Sequence, residues 1–238
     1  FALASLVLVL TALGMITAER RLAAEPKLAA EAEAAPARAF GTLTAPVIVF
    51  ALAMIVLALG YQIHFALESA SLYLRFAKPD ELAWLMPVFW IGFNIAMFPA
   101  SLVTQRADGY AVIGAAALAG ALAILVAHLA PGLELLVFAQ FAAGAAWGAI
   151  LVSAFTVAFT IGANGGEGRM SGLLFSALAL ATLARMAAVS TGLNGDAALK
   201  AALQWVPAAC WALAGAALLS LAAMGLQRWT AAPTKAAE

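Results

Sequence analysis

Long apolar stretches broken by short polar loops make up most of the chain. Windows of about 20 apolar residues, the length a helix needs to cross hydrocarbon, predict seven membrane segments: 1–18, 44–67, 82–104, 110–129, 133–161, 170–191 and 201–226. None alternates apolar with polar residues as a barrel strand would, and isolated strands would leave backbone groups unpaired in lipid. The predicted fold is therefore an all-α membrane protein of about seven transmembrane helices. Short loops after the second segment make consecutive helices antiparallel neighbours. At about 1.5 Å per residue, segment 133–161 would run roughly 43 Å, longer than the bilayer core, so it is expected to tilt or project. Within it Gly144 and Gly148 form GAAWG, and segment 110–129 carries Gly114 and Gly120; such small residues let helices approach closely.

One long polar stretch, 19–43, sets Arg20, Arg21, Lys27 and Arg38 against Glu19, Glu25, Glu31 and Glu33, with Pro26 and Pro36 interrupting any continuous helix. It reads as a cytoplasmic linker between two membrane bodies. The expected organisation is 1–18 as the last helix of a preceding lobe, 19–43 as linker, 44–227 as a six-helix lobe and 228–238 as a cytoplasmic tail. Phe1 opens directly on apolar sequence with no basic leader, which reads as a helix entered mid-span or a processed N-terminus. Arg20, Arg21, Lys27, Arg38, Arg106, Arg169, Arg228 and Lys235 fall on one side of the membrane, against Arg75, Lys78 and Lys200 on the other. The linker and C-terminus are accordingly predicted to be cytoplasmic. Trp84, Trp205 and Trp229 near segment ends fit interfacial anchoring.

Composition narrows the function classes. Of 238 residues 66% are hydrophobic and only 10% charged, a balance that no ordinary soluble domain has; the formal net charge is zero, which removes nucleic acid as a partner. The single cysteine, Cys210, excludes an intrachain disulfide or a thiolate metal cluster and is expected to pack. HExxH, GxSxG and phosphate-loop motifs are missing, so no enzyme, no cofactor and no metal site is expected. The two histidines, His64 and His128, fall at different predicted depths, which argues against a haem pair. Lys200 and Lys235 lie too near the ends to form a retinal Schiff base.

Polar residues inside the segments are the candidate chemistry. Arg185 is the only fully ionised side chain within a long apolar run, and intramembrane cations face protein, water or an anion. The competing readings are snorkelling to the nearer interface and a structural pair with a carboxylate. In GYQIHFALES, Tyr61, His64, Phe65 and Glu68 follow i, i+3, i+4 and i+7, which puts them on one α-helical face, where His64 and Glu68 are spaced to exchange a proton or hydrogen bond. Trp90, Asn94, Ser101 and Gln105 form a similar stripe. His64, Glu68, Gln140, Arg185 and Gln204 are predicted at similar depths, and at least three are expected to converge on a water-accessible cavity, against scattered helix–helix hydrogen bonds as the alternative. His128 and Glu134 are expected to face headgroups.

Two stretches carry a family likeness. PASLVTQRADG, 99–109, resembles the second-half cytoplasmic loop motif of the major facilitator superfamily, typically PAGxLADRxG. Pro99, Ala100 and Arg106 match, Val103 is conservative, and Ser101, Gln105 and Asp108 depart from the pattern. GRMSGLLFSALALATLAR from Gly168 is similar to the stretch opening the eleventh helix of many such transporters, with Arg169 and Gly172 in place. The resemblance implies helices six to twelve of a twelve-helix transporter in the bacterial inner membrane, surrounded by lipid and completed by an N-terminal lobe. It further implies a central cavity lined by its seventh, eighth, tenth and eleventh helices, its ninth and twelfth helices facing lipid, and a gating motif of Arg106, Gln105, Asp108 and Arg169. The expected function is half of a secondary active transporter that moves a small solute by alternating access. Tyr61, His64, Glu68, Asn94, Gln140 and Arg185 are its candidate binding residues, and Arg185 favours an organic anion. The alternative is a non-transporting membrane scaffold or assembly factor on the same fold.

Overall fold

A computed structural model describes residues 44–163, 166–192 and 203–225. All belong to the second of two units into which the chain divides, Thr42–Glu238. The expected first helix, the linker and the tail lie outside the described residues, as do Trp229 and Lys200.

Six helices are long and apolar enough to cross a membrane: α1 Ala45–Tyr73, α2 Pro79–Arg106, α3 Gly109–Leu129, α4 Leu133–Gly162, α5 Glu167–Ser190 and α6 Val206–Ala223. No strand occurs among the described residues, and the architecture is that of a helical integral membrane protein. Starts follow local chemistry: prolines occupy the first turns of α1 and α6, and the Asp108 carboxylate caps α3 by accepting from Ala111 N–H at 3.2 Å. The 30 residues of α4 reach about 45 Å, more than the bilayer core.

Two helices differ from the expectation in form. α1 continues six residues beyond its predicted end, and Gln62–Glu68 inside it is a π-helix. α2 opens with a 3₁₀ turn, Pro79–Glu81, and a short helix, Leu82–Leu85, before its main run, Pro87–Arg106.

α4 is the central helix, flanked by α2, α3 and α5, while α6 packs on α3 and α1. Where α2 meets α4 the contact is backbone on backbone. A methyl added at Gly144 would overlap the Phe89 carbonyl, one at Gly148 the Phe93 carbonyl, and one at Gly92 the Phe141 carbonyl. In lipid no hydrophobic force pulls helices together, so this close approach and its dispersion contacts hold the pair. The other tight point is Trp211 of α6, buried between Gly60 of α1 and Gly120 of α3, with its indole N–H donating to the Leu57 carbonyl at 2.9 Å. Helices α3 and α6, which the resemblance turns toward lipid, each keep one face in the core, through Tyr110, Ile113 and Ile124 and through Trp211, Ala214 and Leu218. α2 and α5 are the least buried spans.

Replacing Gly144 with Ala should lower the free energy of unfolding in detergent by about 1–3 kcal/mol through overpacking. Gly172→Ala, whose methyl meets nothing, should be neutral or stabilising by up to about 1 kcal/mol. Denaturant titration of the two variants checks this, and equal losses would contradict the backbone contact.

Candidate functional site

The C-terminal half of α1 carries two groups of side chains. The predicted single stripe of Tyr61, His64, Phe65 and Glu68 splits between them, because that stripe assumes α-helical pitch and the segment is a π-helix, whose backbone bonds run from i to i+5.

Tyr61 and Phe65 enter an aromatic layer. The two rings stack at 5.8 Å, Tyr61 stacks on Trp147 of α4 at 4.7 Å, and Trp147 lies 5.8 Å from Trp211. Phe89 and Trp90 of α2 close one side, Trp90 meeting Phe65 edge-on at 5.4 Å. Arg185 borders this layer. On α5, the buried residues Leu174, Ala177 and Ala181 form the stripe that faces the bundle, and Arg185 continues it one turn further. Gln62 of α1 donates to Thr182 Oγ1 at 2.9 Å, which fixes α5 against α1 just there. The guanidinium is within electrostatic reach of Tyr61; its Nε is buried and makes no hydrogen bond. Among the described residues no carboxylate forms an ion pair with it.

His64, Gln140 and Ser69 form a second, sealed group. His64 Nε2 lies 3.1 Å from Gln140 Oε1, Gln140 Nε2 donates to Ser69 Oγ at 3.1 Å, and Ser69 Oγ donates to the His64 carbonyl at 3.0 Å. His64 is 1% exposed and Gln140 0%, so these residues converge in a closed interior and not along a wetted wall. The expected His64–Glu68 partnership is replaced: Glu68 Oε2 lies 3.4 Å from Nε2 of His128. His128 itself corrects the expectation that it faces headgroups, since its side chain is 8% exposed and its ring sits 6.1 Å from that of His64 and 5.8 Å from Trp205. The histidines that differ in predicted depth thus share one level. One ligand-capable atom each of His64, Glu68 and His128 lies within 4.8 Å of the others.

The remaining candidates lie elsewhere. Asn94 is exposed on α2 and donates only to the Trp90 carbonyl of its own helix, at 2.7 Å. Gln204 occupies the turn before α6 and joins neither group. Gln105, Arg106 and Arg169 are exposed, and Asp108 serves as the cap of α3. Sequence reasoning did not single out Ser69, Trp147 or Thr182; a hydroxyl five residues after a histidine signals nothing unless the helix is known to be π.

Gln140→Leu should cost about 1–3 kcal/mol of stability, because it leaves the His64 ring N–H without an acceptor. Asn94→Leu should stay within about 0.5 kcal/mol, as the same denaturant titration will measure. In comparisons with family models, curated proteins and solved structures, nothing matched this chain.

Proposed function

We propose that this chain forms one half of a secondary active transporter of the major facilitator type, residing in the bacterial inner membrane and moving a small organic anion by alternating access. The observation that carries the reading is Arg185. It is an intramembrane guanidinium on the stripe of α5 that faces the bundle, with a buried nitrogen that makes no hydrogen bond and, among the described residues, no carboxylate partner. A cation so placed, in low dielectric, lowers the cost of holding a negative group. The neighbouring Tyr61, Phe65 and Trp90 offer an apolar bed for the body of such a solute. The low burial of α2 and α5 supports a second lobe, because those faces would meet it across the translocation path. The PASLVTQRADG loop and the GRMSG start of α5 support the same family.

The test is flux in proteoliposomes containing the full-length transporter, screened over small carboxylates and phosphorylated solutes. For a transported anion, Arg185→Met should reduce uptake at least about tenfold, the loss expected of one charge-assisted contact, while the protein stays inserted and folded. Arg185→Lys should retain part of the activity. Undiminished flux in Arg185→Met would end the proposal. A wild-type protein that transports nothing but co-purifies stoichiometrically with a membrane complex would favour a scaffold or assembly factor.

A further inference from the structure

The hydrogen bonds around the two histidines determine where their ring protons are. The His64 carbonyl can only accept, so the single hydroxyl proton of Ser69 points to it, at 3.0 Å. Ser69 Oγ must then accept from the amide N–H of Gln140, at 3.1 Å, which turns the Gln140 oxygen toward His64 Nε2. An amide oxygen accepts, so Nε2 of His64 carries its proton and Nδ1 presents a lone pair. That Nδ1 is buried and meets no hydrogen-bond partner. On α3 the same logic applies in mirror form. His128 Nδ1 lies 3.0 Å from the Ile124 carbonyl and is therefore the protonated nitrogen, which leaves Nε2 toward Glu68. Glu68 Oε2 is buried, 3.4 Å from that Nε2, and makes no hydrogen bond.

Two imidazole lone pairs and a carboxylate oxygen thus belong to three side chains that bring one ligand-capable atom each within 4.8 Å of the other two. Without a cation among them they repel. A single proton between His128 and Glu68 would satisfy those two and leave His64 Nδ1 orphaned, whereas one divalent ion satisfies all three. We infer that His64, Glu68 and His128 form a binding site for a borderline-soft divalent cation, with Zn2+ as the best fit. Two nitrogen and one carboxylate ligand make a familiar zinc set. Donors about 2.0–2.1 Å from a tetrahedral ion sit about 3.3–3.4 Å apart, the separation already present between His128 and Glu68. Each histidine gives its other N–H to a carbonyl oxygen, the outer-shell arrangement that fixes ring orientation in metal sites. Arg75, whose charge reaches His128, is engaged with the carbonyls of His128 and Ala130 at the end of α3. A bound ion would staple the π-turn of α1 to that end of α3. The inference depends on the fold and these side chains alone, not on the transport reading.

The chain has only two histidines, so imidazole-dependent metal binding by the full-length protein, with any affinity tag removed, reports on this site provided the rest of the protein is scored through variants. The chelator-stripped protein in detergent is titrated with Zn2+ by calorimetry and with Co2+ by its visible absorption. The expected result is one ion per chain, an intense tetrahedral-type Co2+ spectrum and a Zn2+-dependent rise in Tm. Glu68→Gln and His128→Asn should each weaken binding at least tenfold, while Cys210→Ser leaves it unchanged. Ser69→Ala should weaken it by about 10–100-fold through loss of ring orientation. Folded wild type that takes up neither ion, or binding unaltered in Glu68→Gln and His128→Asn, overturns the site. If those two variants fail to fold, the Co2+ spectrum of wild type decides, since an octahedral-type signal alone also overturns it.

Discussion

A backbone carbonyl cannot donate, and that restriction organises the centre of this protein. The circuit that starts at the His64 carbonyl passes through the Ser69 hydroxyl and the Gln140 amide and returns to the imidazole of His64. In a soluble protein water would relieve a break anywhere in such a circuit; inside a bilayer it would not, so every member must find its partner within the bundle. The π-helical turn makes the circuit possible. Its i to i+5 geometry brings Ser69 over the carbonyl of the residue five before it, while the ring of that residue reaches α4. One residue therefore anchors α1 to α4 through both its backbone and its side chain.

That anchoring needs helices that already lie close together. Gly92, Gly144 and Gly148 bring α2 against α4 at backbone distance, and Gly60 and Gly120 open the slot for Trp211. From Trp211 the stacked rings lead through Trp147 to Tyr61 and Phe65, so the glycines indirectly set the position of the aromatic layer that borders Arg185. The polar knot and the guanidinium are both positioned by α1, one through its π-turn and one through the Gln62–Thr182 bond.

The spans were legible because hydrophobicity is additive along a helix: the six described ones agree with the expected segments to within a few residues, save for the extension of α1. GAAWG was legible for the same reason, as a spacing within one helix. What involved two helices was not. His128 reads as a headgroup residue because it is the last polar residue before a loop, and only its contacts with Glu68 and His64 of α1 show it turned inward. Gln140 could be named as a buried polar residue from its setting, but not its partner. The π-turn is invisible in the sequence, since Gln62–Glu68 satisfies an α-helical pattern equally well, and so the four-residue stripe reads as one face where the structure uses two.

The splitting of that stripe has an electrostatic consequence on the proposed readings of the two groups. Tyr61 and His64 are three residues apart on α1, so the guanidinium that reaches Tyr61 and the carboxylate–imidazole cluster both bear on the same stretch of that helix. With an effective dielectric near 20, two unit charges about 10 Å apart interact by about 1.7 kcal/mol. At such a separation each unit of positive charge added to the cluster would favour an anion at Arg185 by roughly 10–20-fold in affinity, and the anion would favour the cluster's cation by the same factor. Coulombic coupling of this kind requires no moving part. An alternating-access cycle could use it only if the anion and the cluster's cation were bound and released together. The burial of His64 at 1% means that such release would have to open the hydrogen-bonded circuit that holds α1 to α4.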